Sequence, residues 1–477
     1  MAIDPKGTFI KDALEIAARY GKRDDVLHLR LDGNLTFNPI YVDDVLKVGR
    51  FLDVAQMVRA AAVNFSGRGS SDSPFWELSA FNLTKNGIIY CAAVYGYYTL
   101  NDLYIAMVDA VEGRSAGKLE EVIQAGKLEG EPLHNARQAL VYFSQEFHSF
   151  DQKLKTGILA TATSFLSQFQ EFQASRIFCP KVDERTILSI DQVVDSGKML
   201  FFDVSSPGLS RAMGTFIKLH FQQSVLERLT NPLRLRDRAA LLIMDEYQDV
   251  VSTGRGTTAG DDRFLAKGRE ANAITIAATQ SLSSIENSVG KSDAAKELFQ
   301  NFRTRIACHS TDLLTIRTFQ DLIGEEDRQK RSHSYSELSQ DTRKNYVLGG
   351  FDADNANISE SISTSVHRES IVTGKDFSRL NAFEALSLVY DGVKTNFVRL
   401  NLKPYFLEQR NVGHADLQRL LGGAVVGCAL LIATSASSFP NVCDVVKQPV
   451  RVSEVCIELA DRTNGNAGIA VALRPAL

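Results

Sequence analysis

Cysteine is scarce in this 477-residue chain, with six residues and no Cys-x-x-Cys pair, which excludes a disulfide-stapled scaffold and a cysteine-based zinc site. Cys91, Cys179 and Cys308 lie far apart, in or beside apolar stretches, and read as buried reduced thiols of a cytosolic body. The eight histidines stand singly, so histidine-based metal ligation has no support. Positive charge is not in excess. With 53 Lys and Arg against 57 Asp and Glu the net charge is −4, so no overall basic field marks a nucleic-acid partner, and any DNA contact must come from a local patch. The start, Met1-Ala2-Ile3-Asp4-Pro5-Lys6-Gly7, has neither the basic residues nor the apolar stretch of a signal peptide. No internal repeat is found. What is present is ordinary globular material, 44% hydrophobic and 23% charged, enough for about three domains or one large domain with insertions.

Short apolar runs rich in β-branched and aromatic residues alternate with longer amphipathic stretches, which predicts an α/β fold with a mostly parallel sheet. The expected strands are Val26–Leu31, Met199–Val204, Ala239–Met244, Ala273–Ala278, Arg305–His309, Ala385–Tyr390 and Asn396–Leu400. From about Thr99 to Gln173 the alternation stops. Leu100–Val111, Lys118–Gly126, Leu133–Phe150 and Thr156–Phe172 carry apolar residues at spacings of three and four and predict an all-helical insertion. Trp76, the single tryptophan, precedes an apolar helix and is expected to bury against that insertion. Thr253–Gly260 predicts a surface loop and the Ser-rich stretch Arg328–Ser365 a long exposed excursion. Leu420–Val442 carries no charge, and its first part is just long enough for a membrane-spanning helix; a buried helix is the alternative. Arg410 and Arg419 before it would leave the main body cytoplasmic.

The most informative segment is Ala239-Ala240-Leu241-Leu242-Ile243-Met244-Asp245-Glu246, an apolar run that ends in two acids. A strand buried on both faces reads as such a run, and α/β sheets bind ligands at the carboxyl ends of their strands. In nucleoside triphosphatases an acid placed like Asp245 holds Mg²⁺, usually through water, while a following Glu, here Glu246, polarises the attacking water. The next strand ends in Thr279-Gln280-Ser281, and an amide such as Gln280 can sit near a terminal phosphate; an ordinary strand-ending turn is the alternative. Arg269, just before that strand, could reach a phosphate on an adjacent subunit or simply lie solvated on a helix.

The order Asp4-Pro5-Lys6-Gly7, Phe37-Asn38-Pro39, Phe75-Trp76-Glu77, a helical stretch, Phe202-Asp203-Val204, Leu241–Glu246, Arg269, Gln280 and Tyr405-Phe406 resembles the conjugative type IV coupling proteins, the TraD/TraG group, over about residues 1–407. The resemblance implies a RecA-like motor core carrying an all-α domain, assembled as a homo-hexamer. It implies ATP and Mg²⁺ as cofactors, and as partners single-stranded DNA, the relaxase or relaxosome, and the components of the type IV secretion channel. The place of action would be the bacterial inner membrane, with the main body cytoplasmic. By position, Asp245 and Glu246 would form the Walker B pair, Gln280 the sensor, and Arg269 an inter-subunit contact. The implied division is a first part of the RecA-like domain at 1–98, the insertion at 99–180, the second part at 181–407, and a C-terminal extension at 408–477.

Members of that group carry a membrane anchor and a phosphate-cradling GxxxxGK[ST] loop upstream of the strand that ends in Asp-Pro-Lys-Gly, whereas this chain starts at that strand. Gly197-Lys198, Gly374-Lys375 and Gly290-Lys291-Ser292 do not supply such a loop. The first strand and P-loop are therefore expected to be missing, and negligible ATPase activity is expected of the chain alone. Lys6 could face nucleotide or DNA, or serve as a cap. For DNA, Arg303 and Arg305 are the leading residues, with Arg328, Lys330, Arg331 and the Arg234, Arg236, Arg238 alternation as further candidates. Cys443 and Cys456, after the apolar run, could pair in an oxidising compartment, or the end could lack a selected function. A silent adaptor subunit of the same complex and another RecA-like DNA translocase are the competing readings.

Overall fold

A computed structural model describes residues 1–47, 49–65, 74–182, 188–203, 207–231, 234, 238–253, 259–290, 292–338, 357–402, 429–433, 456–459 and 469–472. Strand β1 (Ala2–Asp4), α1 (Thr8–Arg19) and β2 (Val26–Leu29) open the fold. A run of helices follows: α2 (Phe51–Phe65), α3 (Pro74–Tyr95), α4 (Leu100–Val111), α5 (Arg114–Gln124), α6 (Gly130–Val141), α7 (Gln152–Leu166), α8 (Phe172–Phe178) and α9 (Ile190–Ser196). Alternation resumes with β3 (Met199–Asp203), α10 (Pro207–Leu226), β4 (Ala240–Met244), α11 (Tyr247–Val250), α12 (Asp261–Gly268), β5 (Ala273–Thr279), α13 (Leu282–Val289), α14 (Ser292–Asn301), β6 (Thr304–Ala307) and α15 (Leu313–Ile323). Then come β7 (Glu325–Leu338), β8 (Asn357–Ser370), α16 (Gly374–Ser378), β9 (Glu384–Tyr390), β10 (Thr395–Leu402), β11 (Ala429–Ala433), β12 (Cys456–Leu459) and β13 (Ile469–Ala472).

The large sheet has the order β12-β13-β10-β9-β6-β11-β5-β4-β1-β3-β2. Its half β2-β3-β1-β4-β5 is parallel throughout, with Asp4 opposite Asp203 and Met244 opposite Ala277. All five strands therefore end at one edge, the edge where the acidic tips lie. The strands form because their apolar residues are buried against helices on the two faces, and Leu29, Leu200, Leu242 and Ala277 are fully enclosed. Helix α10 runs back from the end of β3 across one face. At Gly214 it comes so close to the segment after β4 that a Cβ would lie 2.9 Å from Val250 Cγ1 and 3.6 Å from Ile3 Cγ2.

Every strand expected from the sequence is present within one or two residues. The helical run differs in detail. The expected Leu133–Phe150 helix is α6 continued by a single π turn at Tyr142–Glu146, which turns Tyr142, Phe143 and Phe147 into the core. Trp76 lies at the start of α3, half-buried, with its ring against α7 where Gly157 leaves room for it. The excursion expected at Arg328–Ser365 is exposed over its described side chains, and it is built on an antiparallel ribbon, β7 with β8, whose register pairs Glu325 with Ser370 and Leu338 with Asn357. Of the uncharged run Leu420–Val442, residues 429–433 form β11, antiparallel to both β5 and β6, rather than part of a helix. The rest of that run, Cys443 and Tyr405-Phe406 lie outside the described residues, as does most of Thr253–Gly260. Among the described residues no helix is long and apolar enough to cross a membrane.

Candidate nucleotide site at the parallel strand tips

At the common edge of the parallel strands the chain concentrates carboxylates. Asp4 is fully buried and already committed: its oxygens accept the backbone N–H of Lys6 at 2.9 Å, Phe9 at 2.7 Å and Ile10 at 3.2 Å, so it fixes the turn from β1 into α1. Gly7 makes that turn at φ 70°, with Asp203 on the side where a Cβ would point. On the neighbouring tip Asp203 accepts or shares a hydrogen bond with His28 Nε2 at 2.9 Å.

Beyond β4, Asp245 Oδ1 accepts the Glu246 backbone N–H at 2.9 Å. Glu246 sits at φ 45°, ψ 50°, a left-handed conformation that a side-chain-bearing residue adopts only under constraint. That bend sends its carboxylate sideways along the edge. There it pairs with the Lys6 ammonium and accepts from the Gln248 amide, and Gln280 Nε2 donates to Glu246 Oε2 at 3.1 Å. Gln248 is in turn held by Thr279 Oγ1 at 2.7 Å. Glu246 is 8% exposed, whereas Lys6 and Gln280 reach it from the surface.

The electrostatics follow from this packing. Burial, reinforced by Asp4 and Glu246, raises the Asp245 carboxyl above its ordinary value despite the Glu246 N–H and Lys6. Burial and Glu246 do the same to Asp249. The hydrogen bond to Glu246 raises the Lys6 ammonium. One buried acid, Glu246, and two half-buried ones, Asp245 and Asp249, share the single lysine at this edge. Among the described residues no three His, Cys, Asp or Glu side chains are spaced to chelate a metal directly. Asp245, half-buried beside Lys6 and Glu246, is the carboxylate on which an ion that keeps its waters could lean.

The structure thus gathers Lys6, Asp245, Glu246 and Gln280 at one place and sets the other three predicted residues elsewhere. Arg269 is exposed at the end of α12, before β5, while Gln280 follows that strand, so the two lie at opposite edges, about 20 Å apart along it. Arg269 lines a cleft of about 120 Å³ together with Gln300, Asn301 and Arg303. Arg303 is exposed, its guanidinium 4.9 Å from the centre of the Tyr390 ring. Arg305 is half-buried and donates from Nη2 to the Phe299 carbonyl at 2.6 Å, and burial lowers its pKa. Its guanidinium serves the fold. The same holds for Arg234, which clamps Asp191, Asp195 and Glu227, and for Arg328 and Lys330, which pair with Glu326 and Glu369.

Sequence reasoning missed two groups. Gln248 completes the hold on Glu246 and was visible as the second residue after it. The other is a closed network behind the site. Asp261 Oδ2 accepts from Lys218 Nζ at 2.6 Å, the Ser252 N–H at 2.8 Å and the Tyr247 hydroxyl at 3.0 Å, and Asp261 Oδ1 accepts from Gln222 Nε2 at 2.6 Å. Nothing in residue order brings positions 218, 247 and 261 together.

Residues 147–403, more than half of the chain, match the family described as the type IV secretion-system coupling protein DNA-binding domain. Among solved structures, the plasmid coupling protein TrwB in complex with ADP and Mg²⁺ is 15% identical, covering 83% of this chain and 77% of that one at a TM-score of 0.50, a likeness of fold. The unbound conjugative coupling protein TrwBdeltaN70 is 14% identical over 83% of this chain and 81% of its own, at a TM-score of 0.47. No curated protein matches the chain.

Proposed function

The chain belongs to the type IV secretion-system coupling proteins, and we propose that it acts in conjugative DNA transfer as the motor body that spends ATP to move relaxase-bound single-stranded DNA toward the secretion channel. The single observation that carries the nucleotide part of this reading is the convergence of Lys6, Gln248 and Gln280 on the buried Glu246 carboxylate.

In this reading Glu246 orients a water and takes its proton, Gln280 exchanges its bond to Glu246 for one to the terminal phosphate, and Lys6 holds Glu246 in place before nucleotide binds. Asp245 would hold Mg²⁺, which when bound would supply positive charge to the phosphate oxygens. The far edge, with Arg269 exposed, suits contact with the next subunit of a homo-hexamer, where Arg269 would meet that subunit's nucleotide. Arg303, with Tyr390 beneath it, supplies a phosphate contact for DNA, and Arg305 stands behind it. Residues 1–98 and 181–407 form the motor, residues 99–180 meet the relaxosome, and residues 408–477 form an extension. The assembly works at the bacterial inner membrane with this body on the cytoplasmic side.

The test is Mg²⁺·ATP turnover by the chain, alone and fused behind the strand and GxxxxGK[ST] loop of a relative. The fused protein hydrolyses ATP, and Glu246→Gln leaves ATP binding intact while turnover falls by about 100-fold or more. Undiminished turnover in that variant would remove Glu246 from the chemistry.

A further inference from the structure

Helix α10 turns a polar stripe, Arg211, Lys218 and Gln222, toward the segment that follows β4. Asp261 accepts from both Lys218 Nζ and Gln222 Nε2. Arg211 has no such match: its Nε and Nη2 are closed off from water and have no hydrogen-bond partner among the described residues. Native structures leave few buried donors unpaired, and two on one guanidinium call for an explanation.

Its position supplies one. Arg211 lies one turn before Gly214, the point where α10 touches Val250 and Ile3. Because α10 starts at the strand-tip edge after β3, that turn is nearer the acidic site than Gly214 is. The positive charge of Arg211 is felt by the Asp249 carboxylate, which also feels Glu246 and Lys6. Yet Arg211 forms no ion pair with Asp245, Glu246 or Asp249. Nε and Nη2 are the side-on edge of the guanidinium, whose two parallel N–H bonds match two oxygens of one phosphate.

We infer that Arg211 is a phosphate-binding residue of the strand-tip edge, contributed by the same chain, and that, once the side chains sealing its fork give way, it takes two oxygens of the terminal phosphate of a bound nucleoside triphosphate. The inference rests on the nucleotide reading above and adds to it a cationic group that neither the sequence nor the Lys6 contact supplied. Lys218 serves as the internal contrast, a neighbour on the same stripe whose ammonium is fully engaged by protein.

The experiment uses the chain as it stands, in wild-type form and as Arg211→Gln and Arg211→Lys. Binding of Mg²⁺·ATP and Mg²⁺·ADP is measured by calorimetry, and melting temperature is followed with added inorganic phosphate against chloride at equal ionic strength. Arg211→Gln is expected to weaken Mg²⁺·ATP by about tenfold or more while Mg²⁺·ADP changes by less than about twofold. Arg211→Lys restores only part of the loss, since an ammonium brings charge without the fork. Phosphate is expected to raise the melting temperature of the wild type and not of Arg211→Gln, whose own melting temperature without the anion is unchanged or higher. Equal weakening of ATP and ADP, or no weakening of ATP, overturns the assignment. If the wild type, which begins after the phosphate-cradling loop, binds neither nucleotide, the phosphate arm decides alone: a rise lost in Arg211→Gln supports an anion site at Arg211, and no rise in the wild type overturns it; failure of the nucleotide reading itself is read separately, from turnover of the fused protein.

Discussion

Replacing Asp261 by Asn removes the charge around which a dry cluster is built, and the consequence can be worked out group by group. Lys218 and Asp261 are 0% and 1% exposed, with Nζ to Oδ2 at 2.6 Å. Burial already holds the Lys218 ammonium below the ordinary lysine range, with Asp261 opposing that shift. Taking away one partner of such a pair strands the other, at a cost of about 3–5 kcal/mol. Lys218→Met instead leaves a carboxylate that keeps Tyr247, Ser252 and Gln222 as donors, so its loss is smaller, about 2 kcal/mol. In the double variant no ammonium is left to strand, and the sum of the single losses should exceed the double loss by about 2 kcal/mol. Urea unfolding followed by circular dichroism gives all four corners of the cycle. A sign follows as well. In Asp261→Asn the folded state holds Lys218 unprotonated while the unfolded state still binds that proton up to the ordinary lysine value of 10.5, so stability rises with pH below that value, more steeply than in the wild type. Additivity within about 0.5 kcal/mol would refute the reasoning, because it would mean that the pair does not interact in the folded state.

Two further outcomes are expected. The His220 imidazole, packed between Phe37 and Phe216 with Nε2–H donating to the Pro39 carbonyl, is lowered by burial to about 4, so the unfolded state takes up a proton first as pH falls. Stability should drop between the ordinary value of 6.5 and about 4, by at most about 3 kcal/mol, and a melting curve series should show His220→Gln without that loss. For DNA, Arg303→Ala should weaken single-strand binding and lower the slope of log affinity against log salt by about 0.7. Arg305→Ala should leave that slope alone and lower the melting temperature, and the opposite pattern would reverse their roles.

The parallel strands were legible because a strand covered on both faces must be apolar along its whole length, and Leu241–Met244 shows this plainly before Asp245 breaks it. Gln280 was legible for the same reason, as the amide that follows Thr279 at the end of the next such run. The partnership of Lys6 with Glu246 was not, since the two are 240 residues apart and meet only once β1 lies beside β4. The β7–β8 ribbon reads as loop because neither face carries a continuous apolar row: Ser332 faces Ser363 and Ser334 faces Ser361, so the period-two signal is absent. Arg303 and Arg305 have the same residue type and nearly the same position, and only the turn before β6 sends one outward and the other toward Phe299. The buried cluster around Asp261 escaped because each of its members is an unremarkable polar residue of a helix or loop in the linear chain.

The twist at residue 246 has its own consequence. A glutamate in the left-handed region carries a backbone penalty of the order of 1 kcal/mol that glycine would not, and asparagine would feel it less. Natural drift toward a sturdier molecule therefore pulls this position toward residues that cannot do a carboxylate's work. The tip of β4 is spring-loaded, and keeping it so is a standing concession of robustness to function.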